Sequence, residues 1–342
     1  MKRWRGPALT VAVLGAGALY IALTTDKDTD FWASQTLNGI TVGALYALIA
    51  LGYTMVYGVL RMINFAHGEV FMVGSFAGWI VLTRVFSGDN TSDAVIPIAI
   101  LAAMLVAAAA SGSLIVVVER FAYRPLRRAP RLAPLISAIG VSFFLQHLFL
   151  RLTDGRTKVY PRIFPQGPDE GISLGVTQLD YIQIFLIGSS IIMMLALFLF
   201  VNRTRAGTAI RAVAEDQDTA ALMGIDVDRA IMTTFIIGAA LAGVAGVMYG
   251  LWLLNIKGTM GFVPGIKAFT AAVLGGIGNI PGAMAGGFLL GLAETVGREG
   301  LNEMFGLGLT NEWRDVVAFF VLVGILLIRP SGILGEVVGK RA

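Results

Sequence analysis

RAVAEDQDTAALMGIDVDR, residues Arg211–Arg229, interrupts a chain that is otherwise oily. MMLALFLF (Met193–Phe200) precedes it, and the glycine-studded apolar run Ile231–Gly250 follows. Inside this polar island, Asp216 or Asp218 can cap a helix N-terminus, and acidic side chains in a first turn are favoured by the helix dipole. Gly224 sits where a left-handed C-terminal stop is expected. The pattern predicts a helix of about two turns, too short to be stable alone in water. Its apolar residues Ala220, Ala221, Leu222 and Met223 therefore need a surface, either on the chain's own bundle or on something that docks there.

The rest of the chain decides what kind of bundle that is. Of 342 residues, 56% are hydrophobic and 14% charged, with a mean hydropathy of +0.77. Soluble domains carry about 25% charged residues, so most of this chain must face lipid or other membrane helices. No polar stretch approaches the ~50 residues of a minimal domain, which predicts a single transmembrane domain over residues 1–342. Cysteine is absent, which removes disulfides, thiol nucleophiles and cysteine metal sites.

The apolar runs are Pro7–Thr25, Phe31–Leu60, Phe65–Leu82, Ala94–Val118, Leu132–Leu150, Leu179–Val201, Ile231–Leu254, Phe269–Val296 and Val316–Ile328. About 20 apolar residues cross the hydrocarbon as a helix. Backbone in lipid must satisfy its own hydrogen bonds and the runs are too long for barrel strands, so the class is all-α: a polytopic helix bundle of about 8 spans. MKRWR before the first run also fits a signal peptide cleaved near Ala16-Gly17-Ala18; the short stretch before that trio favours an uncleaved anchor over residues 1–30. With the N-terminus inside, most of the 26 basic residues fall on the cytoplasmic side, including the RPLRRAPR cluster at Arg124–Arg131. The segment 202–230 is then a cytoplasmic loop.

Three blocks, ALIALGYTMVYGVLRMINFAHGEVFMVGSF (Ala47–Phe76), RAVAEDQDTAALMGID (Arg211–Asp226) and FTAAVLGGIGNIPGAMAGGFLLGLAE (Phe269–Glu294), resemble the branched-chain amino-acid ABC transporter permeases of the LivH type. The similarity runs in register from about Phe31 to Leu334, and the MINFAHGE block is specific for this uptake family, which includes urea-type permeases. The resemblance implies an importer in the inner (plasma) membrane of a prokaryote. An extracytoplasmic binding protein would deliver a branched-chain or related hydrophobic amino acid, and a second, LivM-like permease subunit would complete the path. Two cytoplasmic ATPase subunits would drive it. It further implies that Glu215, Asp216, Ala220, Ala221, Leu222 and Gly224 belong to the coupling loop whose short helix docks on the ATPase. No cofactor, metal or nucleic acid is implied. The chain has no G-x-x-x-x-G-K-[ST] loop of its own; GEVVGKR at Gly335–Arg341 has the wrong spacing.

Asn64, His67 and Glu69 in RMINFAHGEV read in two ways. They either line the translocation path, since ionisable residues at membrane depth face a cavity or bundle interior, or form an interfacial turn in which Asn64 caps the helix and Glu69 complements its dipole. HGE lacks the paired histidines of a zinc helix, and His147 reads as a hydrogen-bonded packing residue. Gly39/Gly43, Ala239/Gly243 and Gly246/Gly250 have the spacing that lets helices approach closely. A stand-alone secondary transporter is the alternative class, disfavoured because coupling carboxylates within the runs are scarce; an intramembrane hydrolase lacks a Ser/His/Asp or HExxH arrangement.

The remaining question is the long run Phe269–Val296. Its centre, GGIGNIPG (Gly275–Gly282), contains a proline that disfavours helix at Ile280. A continuous helix is possible where neighbouring helices satisfy the freed groups; two half-helices turning back inside the bundle are favoured, because they keep the basic Lys340-Arg341 tail inside, as the charge rule wants. Such broken segments often mark the substrate route, so Gly275, Gly276, Gly278, Asn279 and Pro281 join the candidate path.

Overall fold

The structure, a computed structural model, describes residues 29–86, 95–127, 129–130, 132–164, 171–173, 177–306, 308, 310, 313–329 and 331–335. The N-terminal run Pro7–Thr25 and the basic pair Lys340 and Arg341 lie outside these. The described residues form two compact units, one from within 29–47, 165–191 and 270–335, the other from 48–164 and 192–269.

The fold is an all-α polytopic membrane bundle. Among the described residues, seven helices are long and apolar enough to cross a membrane. They are α1 (Thr29–Leu60), α2 (His67–Val85), α3 (Ile96–Val118, extended to Leu126 by a π turn at Glu119–Tyr123 and a 3-10 turn), α4 (Leu132–Leu152), α5 (Tyr181–Arg203), α8 (Val227–Leu253) and a helix beginning as α10 (Ile280–Leu292). Between α5 and α8 lie two short helices, α6 (Arg205–Glu215) and α7 (Gln217–Leu222). The half-helix α9 (Phe262–Gly275) precedes α10, which continues through a π turn at Ala293–Gly297 into α11 (Arg298–Phe305); α12 (Trp313–Ile328) follows. Two-residue strands β1 (Lys158–Val159) and β4 (Asn255–Ile256) pair antiparallel, as do β2 (Gly171–Ser173) and β3 (Gln178–Asp180).

The break falls where the sequence places it, but both ends extend beyond Phe269–Val296, the first half beginning at Phe262. The helix stops at Gly275 and restarts at Ile280, but the second half does not end near Val296. It runs on to Phe305, with Arg298 and Glu299 paired to each other, and is long and apolar enough to cross a membrane. α12, at 16 residues, reaches only about 24 Å at 1.5 Å per residue.

In the unit built from 29–47, 165–191 and 270–335, the two halves turn back on each other. A Cβ on Gly275 would strike the Gly282 carbonyl, and one on Gly286 the Ala271 carbonyl. That register, descending on one strand of the pair as it ascends on the other, is antiparallel, and only glycine allows such backbone contact. Gly39 and Gly43 meet α10 in the same way, at Leu292 and Phe288, and Gly287 faces Ala47. The carbonyls freed at the break are taken by residues beyond α12: Ile333 N–H donates to Leu274 O and Leu334 N–H to Gly275 O, both at 2.9 Å. Asn279 caps α10 through Gly282 N–H (2.9 Å) and donates its Nδ2 to Leu334 O (2.9 Å). Leu274, Ile325 and Ile333 form the buried apolar cluster beneath this closure.

In the unit built from 48–164 and 192–269, α2, α3 and α8 pack together. Gly243 lies between helices: a Cβ on it would meet Ala107 O and Ser111 Oγ, and one on Gly74 would meet Gly243 itself. Ser111 Oγ also donates to Val70 O at 2.9 Å. Here small residues substitute for the hydrophobic drive that lipid does not supply.

Candidate functional site

The connection between α1 and α2 determines where the polar constellation sits. α1 ends at Leu60 with Arg61 in a left-handed conformation (φ 50°), and residues 61–64 are non-helical. The chain then returns alongside α1, because the His67 ring rests on Gly52, where a Cβ would collide with Nε2. Gly52 precedes Leu60 by eight positions, so α2 starts about 12 Å short of the end of α1, at 1.5 Å per residue. Asn64, His67 and Glu69 are buried, none more than 1% exposed. The N-cap position of α2 is Ala66, without a side-chain bond of its own. Irregular backbone at such depth is tolerated where it is covered by protein or lines a cavity.

Each of the three side chains is half-satisfied. Asn64 Oδ1 accepts from Ala66 N–H (3.1 Å) and from the Tyr123 hydroxyl (2.6 Å). His67 hydrogen-bonds the Ile49 backbone and stacks edge-on to Tyr53, ring centroids 4.7 Å apart. Glu69 Oε1 accepts from Gln146 Nε2 (2.8 Å) and Ser142 Oγ (3.4 Å). Asn64 Nδ2, His67 Nε2 and Glu69 Oε2 have no hydrogen-bond partner. Orphaned buried polar atoms are rare and call for an explanation; three within six residues is a concentration.

Two clefts flank the Glu69 bonds. One, of about 190 Å³, is lined by Tyr53, Phe65, Ser142, Phe143, Phe262 and Gly265. The other, of about 600 Å³, is lined by Gln146, Tyr249, Asn255, Lys257, Phe262 and Val263 among others. Ser142 lines the first and Gln146 the second, so the donors to Glu69 face both, with Phe262 as common wall. The second lies within the size range of small-molecule sites. Gly68 packs backbone-to-backbone on Gly261 and Gly265, which brings α9 against the start of α2. No group of three or more His, Cys, Asp or Glu with metal-binding geometry occurs among the described residues.

The other path candidates, Gly275, Gly276, Gly278, Asn279 and Pro281, belong to the other unit. Gly276 (φ 106°) and Gly278 (φ 93°) supply the left-handed turn at the break. Asn279 holds α10 and the tail, Gly275 and Gly276 are buried, and Pro281 opens α10 exposed.

The polar island folds as its caps require. Asp216 accepts from Thr219 N–H at 2.6 Å and so caps α7, and the Thr219 backbone and side chain hold its carboxyl below the usual aspartate range. Gly224 (φ 82°) closes the helix, its N–H donating to Ala221 O (3.0 Å). The helix spans six residues, close to two turns. Its apolar residues divide: Ala220 is buried in its own unit, while Leu222 and Met223 are 88% and 78% exposed. Ala221 and Glu215 are also exposed. Gln217 Nε2 donates to Val59 O (3.1 Å), tying α7 to the last turn of α1. The island also contains α6, an amphipathic helix capped by Thr204 and burying Ile210 and Val213. His147 hydrogen-bonds the Phe143 carbonyl (2.8 Å) as expected, but from an exposed position.

Comparison with known proteins follows the same lines. Residues 35–326 match the family described as the branched-chain amino acid transport system permease component. The chain is 47% identical over 306 residues to the high-affinity branched-chain amino acid transport system permease protein BraD of Pseudomonas aeruginosa, covering 89% of this chain and 96% of that one. It is 45% identical over 312 residues to LivH of Escherichia coli K12 (90% and 96% covered), and 27% identical over 316 residues to a probable LivH of Methanocaldococcus jannaschii (90% and 94% covered). A family match spanning most of the chain, carried by a fold with seven helices long and apolar enough to cross a membrane, places this multi-pass membrane protein in the branched-chain amino acid transport permease family.

Proposed function

We propose that the chain is the membrane-spanning permease subunit of a binding-protein-dependent ABC importer in the prokaryotic inner membrane, moving branched-chain or related hydrophobic amino acids. The observation that carries this reading is the Arg61–Ala66 segment, which returns non-helical backbone and the half-satisfied Asn64, His67 and Glu69 into the bundle beside two clefts. In the larger cleft Gln146, Asn255 and Lys257 suit a zwitterion's head groups, and Tyr249, Phe262 and Val263 suit an apolar side chain. Those walls favour an amino acid over urea or a small amide. The Gly275–Pro281 break is the second candidate stretch of the route, supported by irregular backbone in an apolar run.

Energy would come from two ATPase subunits seated on α7, whose exposed Leu222 and Met223 offer apolar area outward. A second permease subunit and an extracytoplasmic binding protein would complete the assembly. Uptake of radiolabelled leucine into proteoliposomes, with and without co-reconstituted ATPase subunits and binding protein, tests the whole reading. ATP-dependent uptake that needs both is expected. Uptake driven by an ion gradient without the ATPase would refute it in favour of a secondary transporter.

A further inference from the structure

Two separate links converge on the non-helical Arg61–Ala66 segment, and both start from the α7 region. The first is short: Gln217 on α7 donates to Val59 O, in the last turn of α1 before the segment begins. The second is longer. Asp228, in the first turn of α8 just after the α7 stop, pairs with Arg124 and with Arg127 Nη1 (2.6 Å). Arg127 Nη2 in turn pairs with Glu119, which is fully buried. Glu119 opens the π turn Glu119–Tyr123, and Tyr123 at its other end donates to Asn64 Oδ1.

We propose that Gln217, Arg127 and Tyr123 are positioning residues that carry the movement of α7 to the polar cluster, with Arg61–Ala66 as the element that moves. The inference rests on the docking role given to α7 above. Two features favour movement there. The segment has no helical hydrogen-bond ladder to break, unlike the helices on either side. A π turn is itself a stretch of weakened helix found preferentially at functional positions, and both of its ends are tied, one toward α8 and one toward Asn64. Displacement of α7 relative to α1 then acts on the segment from both sides at once. Asn64 lies in the segment itself, and His67 and Glu69 sit in the first turn of α2 that continues it, so the displacement acts on Asn64 directly and on the other two through the start of that helix.

The geometry gives different tests for the link and for the docking. In the assembled transporter in proteoliposomes, Tyr123→Phe and the double variant Glu119→Gln/Arg127→Met, which removes both charges together, should keep the ATPase bound and its basal hydrolysis. Leucine transported per ATP should fall by about fivefold or more, the lower end of measured coupling between sites, with KM for the loaded binding protein unchanged. In the permease alone, without any ATPase, Asp228→Asn should speed hydrogen exchange across residues 62–67. A wild-type transport ratio in Tyr123→Phe, or unchanged exchange over 62–67 in Asp228→Asn, overturns the link. The docking role fails on a different reading, if Leu222→Asp still binds ATPase, so the two ideas fall separately.

Discussion

Leu222→Asp separates docking from folding, because the wild-type side chain contributes almost nothing to the permease itself. At 88% exposure it has little burial to lose, and the change should leave the thermal transition of the isolated permease in lipid nanodiscs where it was. Against a partner, the same position is expensive. Burying a leucine side chain contributes about 1.5–3 kcal/mol, and a carboxylate facing an apolar groove adds a desolvation penalty on top. A net loss of about 2–4 kcal/mol corresponds to about 30- to 700-fold in Kd at 1.4 kcal/mol per decade. Titrating fluorescent ATPase subunit onto nanodiscs carrying each variant reads that directly. Ala220→Asp is the contrasting control: Ala220 is 4% exposed, so the change puts a charge inside the permease and should lower its yield and melting temperature. Binding as tight as the parent's in a well-folded Leu222→Asp permease would refute the docking face.

Further expectations follow from the other contacts. His67→Ala and Glu69→Gln should reduce leucine uptake by about tenfold or more, the scale of one charge-assisted hydrogen bond, while ATPase binding is unchanged; wild-type uptake in both returns the cluster to a packing role. Gly243→Val, which would drive a side chain into Ala107 O and Ser111 Oγ, should destabilise the bundle by about 1–3 kcal/mol, seen as a lower melting temperature; Gly140→Ala, whose Cβ meets nothing within 4 Å, should not. With no native cysteine, Thr310→Cys and Met223→Cys, both at exposed positions, test the turned-back α9–α10 pair. An impermeant maleimide on intact cells should label the first and not the second, and protection of both would show a full crossing.

What could be read from the sequence was whatever depends on neighbours in the chain. Asp216 and Gly224 announce the ends of α7 because capping is decided within four residues. The break at Gly275–Gly282 was visible because proline and glycine act on their own backbone. The Arg61 turn was not. Four residues between two apolar runs look like an interfacial connection, and nothing local says that Arg61 adopts a positive φ and sends the chain back alongside Gly52. The partners of Glu69 left a weak trace: Ser142 and Gln146 are polar residues four apart in an apolar run, hence on one helix face. Ala220 was grouped with Leu222 by composition, and only the packing of α7 on its own unit separates them. The bonds from Ile333 and Leu334 had no trace at all, since two apolar residues were giving backbone donors rather than side chains.

Those two donors have a bearing on how the protein is made. While α9 and α10 are threaded into the bilayer, the carbonyls of Leu274 and Gly275 have no strand to meet, because the residues that meet them emerge from the ribosome only after α12. Until then the break must be solvated by water, lipid head groups or the insertion machinery. Biogenesis therefore has an order built into it: the hairpin enters open, and the stretch from Ser331 to Gly335 seals it last.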